Sequence, residues 1–151
     1  MIRLTMTEEQ AGVLRDALDL YARIGLGQVE SIADMVVTGV AQTADGQQAS
    51  IEQLDLIRDG LSLVRHALGF HGAGHSRGIG ADGVPLAITT AWDMKKVVAQ
   101  AVAIARDPEP SIGARGVDYD GLFVSFSPKP HPVAEIIEGD LESEPAAGPS
   151  R

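Results

Sequence analysis

From Glu8 to Ile24 the apolar residues Val13, Leu14, Ala17, Leu18, Tyr21 and Ile24 recur three and four positions apart. That spacing lines one face of an α-helix and leaves the other polar, so this stretch must form a helix and bury its stripe against another element. Thr7, with Gln10 three residues on, offers the reciprocal cap that starts such a helix by satisfying exposed N–H groups. Gly25–Gly27 (GLG) should weaken or bend it, and Gln28 to Val37 then resumes the helical period through Val29, Ile32, Ala33 and Val36. After the turn-rich connector TADGQQA (Thr43 to Ala49), Ser50 and Gln53 repeat the capping spacing. A second long stripe, Ile51, Leu54, Ile57, Leu61, Val64 and Leu68, ends at Gly69. A fourth helix is predicted from Pro85 to about Asp107, carrying Ile88, Ala91, Trp92, Lys95, Val98, Val102 and Ala105.

Two segments read as β. Ile2 to Met6 alternates apolar and polar, and Gly116 to Phe126 (GVDYDGLFVSF) sets a DG turn among β-prone residues. Pairing them gives the expected fold class: a mainly helical α+β single domain with a small antiparallel sheet. At 151 residues the chain suffices for one core. The expected organisation is one globular domain over 1–126 and an acidic, Pro/Glu/Gly-rich tail over 127–151, read as largely disordered.

Composition removes several function classes. With no cysteine, disulfides, thiolate catalysis and cysteine-ligated metal are excluded. The net charge of −9 argues against duplex nucleic acid as a partner. Five acids against Lys129 and Arg151 place −3 of it in 127–151, which leaves −6 on the body. Aromatic residues, 4% of the chain, are too few for a row of base-stacking platforms. No apolar run is long enough to span a membrane, and MIRLTMTEEQ lacks the pattern of a signal peptide, so a cytoplasmic protein is expected.

The candidate site lies in HGAGHSRGIGADGVP, His71 to Pro85, between two helices. His71 and His75 have the spacing of helical zinc ligands, but Gly72, Ala73 and Gly74 fill the gap and no glutamate follows His71, so no metal and no cofactor is assigned. No nucleophile elbow, Walker loop or dinucleotide fingerprint is present, and no catalytic residue is named. An anion site is the remaining chemistry. Backbone amides of Gly78 and Gly80 can approach a phosphate closely, Arg77 can grip it with a planar fork, and His75 and Ser76 add donors. GIGADGV (Gly78 to Val84) and SIGARGV (Ser111 to Val117) agree at five of seven positions, which adds Arg115 as a second cation. The two loops bracket one helix, so Arg77 and Arg115 would meet only across a two-fold dimer with antiparallel long helices, and a homo-oligomer is expected. Arg23 and Gln28 in LYARIGLGQ complete the ligand-binding set. In AWD (Ala91 to Asp93), Trp92 reads as an anchor in the core or at an interface and Asp93 as a solvated carboxylate.

On LDLYARIGLGQ, the GIG loop leading to VP and the AWD helix, the chain resembles a group of small, mostly uncharacterised proteins of tailed bacteriophages, over roughly residues 3 to 125. The stretch Ala73 to Ser76 and the tail depart from the pattern. The resemblance implies a viral accessory protein acting in the infected bacterial cell and supplies no catalytic residue. Together with the anion-binding loop it leads to the expectation of a non-enzymatic anti-defence sponge, sequestering a small anionic ligand such as a nucleotide immune signal of the host. A protein-interaction module that inhibits a host factor and a small phosphohydrolase are the alternatives.

Overall fold

A computed structural model of the chain describes residues 2–72, 75–109, 117, 124–130 and 132–137. Four helices carry the described residues: α1 (Glu8–Gly25), α2 (Ser31–Val37), α3 (Ile51–Ala67) and α4 (Leu86–Arg106). The caps are those the spacing predicts. Thr7 Oγ1 accepts from the Gln10 amide at 3.2 Å while Gln10 Oε1 accepts from the Thr7 amide at 2.9 Å. Ser50 and Gln53 do the same at 3.3 and 2.8 Å.

The expected antiparallel sheet is corrected: among the described residues there are four helices and no β-strand. Ile2 to Met6 makes no ladder, and its apolar side chains stay in solvent, Ile2 88% and Leu4 70% exposed. Most of Gly116 to Phe126 lies outside the described residues, and its end, Val124 to Phe126, attaches to α4 by side-chain and cap-like hydrogen bonds. A strand pattern without a neighbour to complete its hydrogen bonds has no reason to persist as a strand, and alternation over five residues cannot supply that neighbour.

α1 and α4 form an antiparallel pair. Arg106 at the end of α4 meets Glu8 at the start of α1 at 2.5 Å, Lys95 meets Asp19 at 2.5 Å, and Ile88 closes on Gly25. Between them lies the buried cluster of Ala22, Leu26, Ile88 and Ala91, against which Leu18, Ile79, Val84 and Trp92 pack. Full burial of a side chain such as Leu26 or Ile88 contributes about 1.5–3 kcal/mol, so this seam dominates the core.

The glycines of GLG make the seam possible. A Cβ on Gly25 would lie 2.2 Å from Ile88 Cδ1, and one on Gly27 would lie 2.5 Å from the Phe70 ring. Gly27 also takes φ +89°, the left-handed region that favours glycine. Between them Leu26, 2% exposed, caps α1 with its amide directed at the carbonyls of the last turn. The segment that should bend the first helix instead ends it and lets two other elements close in.

α2 contributes the buried Ala33 and Val36, with Val29 just before it. Arg65 of α3, only 13% exposed, ties that helix to the start of α2, its Nη1 lying 2.6 Å from Oε1 of the N-cap residue Glu30. No residue of α3 is buried. Of its predicted stripe, Leu54, Ile57 and Leu61 are half-buried, while Ile51, Val64 and Leu68 are exposed.

Candidate functional site

The C-terminal turn of α1, the glycine loop and the N-terminal half of α4 converge, and a chain of polar contacts runs through them. Lys95 Nζ donates to Asp19 Oδ1 at 2.5 Å. Arg23 Nε donates to Asp19 Oδ2 at 2.6 Å, one helical turn along. The same guanidinium reaches Gln28 Oε1 through Nη1 at 3.1 Å, and Gln28 Nε2 donates to Ser76 Oγ at 3.4 Å. Three residues singled out from sequence, Arg23, Gln28 and Ser76, are thus joined although Ser76 lies 48 positions beyond Gln28. The loop is anchored alongside by the Arg77 amide, which donates to Leu26 O at 2.8 Å.

Charge in this chain is unequal: two cations share one carboxylate, on a molecule that is acidic overall. Burial works against the Asp19 carboxylate, but the hydrogen bonds and charges of Lys95 and Arg23 outweigh it and hold its pKa below the ordinary 3.8. Lys95 also sits 4.5 Å over the Trp92 ring, whose buried Nε1 has no hydrogen-bond partner among the described residues.

The other predicted site residues are placed less favourably for gripping a ligand. Arg77 is exposed and spends one guanidinium nitrogen on Gly83 O at 3.3 Å. His75 packs against Phe70 in a T-shaped pair, with ring centroids 5.8 Å apart. The amides of Gly78 and Gly80 donate to no group among the described residues, and Gly78 O accepts from Ala81 at 2.9 Å. Neither glycine has a positive φ; in this loop that conformation belongs to Gly72 and Gly83. A Cβ on Gly80 would touch the Phe126 ring at 3.4 Å, an ordinary van der Waals contact, so the packing there does not demand glycine. Arg115, with its expected convergence on Arg77, lies outside the described residues.

The two histidines at metal-ligand spacing go separate ways. His71 Nδ1 lies 3.3 Å from His66 Nε2 of α3, while His75 faces Phe70. Among the described residues no group of three or more His, Asp or Glu is arranged to hold a metal ion. Nor is any helix among them long and apolar enough to cross a membrane.

A cleft of about 370 Å³ opens at the start of α4, walled by Ile79 to Val84, Leu86, Thr89, Phe126 and Pro128. That volume falls within the range of small-molecule sites, and Phe126 gives it one aromatic wall. Phe126 is fixed by Asp93, which corrects the reading of that residue as solvated. Asp93 is 3% exposed and accepts from the Phe126 amide at 3.1 Å, the Ser127 amide at 2.7 Å and Ser125 Oγ at 3.1 Å. Lys96 adds a bond to Val124 O at 3.1 Å and lies 4.8 Å over the Phe126 ring.

Asp19, Lys95, Asp93 and Phe126 were absent from the predicted site. Lys95 did carry a signal, being a cation inside the apolar stripe of α4, which calls for a buried counter-charge. Asp19 and Arg23, four apart on α1, are the matching pair. Nothing local marks Phe126, because its partner is 33 residues away. No family model, curated protein or solved structure matches the chain.

Proposed function

We propose that the chain is a non-catalytic binding protein for a small phosphate-bearing anion, held where α1, the glycine loop and α4 converge. The observation that carries this reading is the polar chain Lys95–Asp19–Arg23–Gln28–Ser76, which leads an excess of positive charge to the start of the loop. A phosphate placed there would complete the second cation, and the unpartnered amides of Gly78 and Gly80 would add donors. The α4 N-terminus, without a side-chain cap, adds favourable dipole. The neighbouring cleft, with Phe126 as a wall, suits a flat apolar group attached to the phosphate, which makes a nucleotide the class to test first. The likeness to phage accessory proteins gives that binding a purpose: withdrawal of a nucleotide immune signal inside the infected cell.

Native mass spectrometry of the full chain with a panel of cyclic and linear nucleotides tests the reading, followed by titration on Trp92, the sole tryptophan. Retention of a ligand that is released intact is expected, with Lys95→Met and Ser76→Ala each weakening binding by about tenfold, the effect of losing one charge-assisted or well-placed hydrogen bond. No retained nucleotide would overturn it. Release of an altered nucleotide would assign the chain instead to the phosphohydrolases.

A further inference from the structure

α3 presents a second surface, independent of the anion site. Leu56, Gly60, Leu63 and Ala67 follow one another at steps of four, three and four, so they form one stripe along the helix. All four are exposed, Leu56 and Leu63 each 73%, while the opposite flank of the helix is turned to α2 through Arg65.

Gly60 makes the stripe more than an uncovered face. In a helix interior glycine costs about 1 kcal/mol relative to alanine, and here no atom would come within 4 Å of an added Cβ. Nothing in the described chain uses its smallness. A second helix crossing closely at Gly60 would use it.

The stripe is complementary to itself when reversed. In an antiparallel pair centred between Leu61 and Ser62, Leu63 of one copy faces Gly60 of the other, and Leu56 faces Ala67, so each large side chain meets a small one. The charges agree. The first turn of α3 is acidic through Glu52 and the last carries His66 on the same flank, Arg65 being turned away to Glu30, so reversal brings the acidic end of one copy to the His66 end of the other with opposed helix dipoles. On the border of the stripe, Asp59 lies two residues, about 3 Å along the axis, from the level of His66 of the second copy.

We propose that α3 is a self-association surface and that the chain forms a two-fold dimer through antiparallel α3 helices. The long helix that the sequence suggested for self-pairing, α4, is instead flanked by α1 and by residues 124–127 of its own chain. One helix pair buries less than the roughly 800 Å² per partner of a standard interface, so the dimer is reversible, with dissociation on the order of micromolar.

Sedimentation of the full chain between about 1 and about 300 µM spans that range. The expected result is a mass rising from one chain to two, and Leu63→Glu, at an exposed site, holds it at one chain with helix content unchanged. Orientation is read by cross-linking, since the chain has no cysteine of its own. Mixed Leu56→Cys and Ala67→Cys chains should form the hetero-disulfide. Leu56→Cys alone should not, because the two copies of that position lie roughly 16 Å apart along the axis, beyond disulfide reach. A single-chain mass at every concentration, as a face reserved for a different protein would give, overturns the proposal. So does a dimer that survives Leu63→Glu, or self-linking of Leu56→Cys in preference to the mixed pair.

Discussion

α1 and α3 start alike and end differently. Both open with a reciprocal cap, both run to 17 or 18 residues, and both carry an apolar stripe at helical spacing. α1 lies along α4, with ion pairs at 2.5 Å at one end and partway along the seam and two glycines admitting Ile88 and Phe70. α3 buries no residue and leans on α2 through one ion pair and half-buried leucines. The predicted stripe of α1 is itself largely open, Val13 69% and Tyr21 53% exposed with Leu14 and Leu18 half-buried, and the residue of α1 that is buried is Ala22, so a helical period does not by itself say which residues are covered or by what. In this chain the clue to the cover lies in the residues that interrupt the stripe: Lys95 in α4, answered by Asp19, and Gly60 in α3, answered by nothing in the described chain.

The sharpest break of this comparison is a matched substitution to aspartate. Val97, 7% exposed on α4, should lose more than about 4 kcal/mol as Val97→Asp, because an unpaired charge would enter the core. Leu56→Asp on α3, at 73% exposure, should stay within about 0.5 kcal/mol in dilute solution. Urea denaturation of both variants decides the matter; similar losses would mean that α3 is covered within the chain.

Much of the helical frame was legible, because caps, stripes and terminal glycines are local. Thr7 with Gln10 and Ser50 with Gln53 act where they stand, and Gly69 takes φ +86° after α3 as expected of a helix end. The sheet was misread because Ile2 to Met6 carries alternation but no partner. Of the residues singled out from the sequence, Arg23, Gln28 and Ser76 lie together in the structure, but no local pattern joins Ser76 to Gln28 across 48 positions. Asp93 was misread because burial depends on the arrival of residues 124–127, more than thirty positions away, and a carboxylate on a helix looks solvated until that segment docks.

Glycine gives a second contrast, of opposite sign. Gly27→Ala adds a methyl at φ +89° and against the Phe70 ring, so it should cost about 2–3 kcal/mol, combining left-handed strain with overpacking. Gly60→Ala meets open space in the isolated chain and should stabilise it by up to about 1 kcal/mol. Thermal unfolding at low protein concentration is the measurement. A loss at Gly60 under those conditions would show that something within the chain already approaches α3, and would remove the distinction between the two helices.

The smallest effect concerns the electrostatic pin of the α1–α4 seam. Its pKa being depressed, Asp19 contributes stability that is fully present above the ordinary carboxylate value of 3.8 and is lost as pH falls through the lower, folded value. Asp19→Asn leaves Lys95 and Arg23 without their shared carboxylate, so the variant should be less stable than the parent chain at pH 7. Below the ordinary value the unfolded chain protonates first and the folded parent only at its lower value, so the contribution of Asp19 declines over that interval and the two denaturation midpoints should draw together. Because Asp19 remains partly in solvent, the gap is modest and should narrow further with salt. A gap that stays constant from pH 7 down to about 3, across the carboxylate titration range, would mean that Asp19 acts through packing rather than charge. The seam would then be closed by Ile88 and Leu26 alone, and the positive excess next to the glycine loop would have no role in holding the fold together.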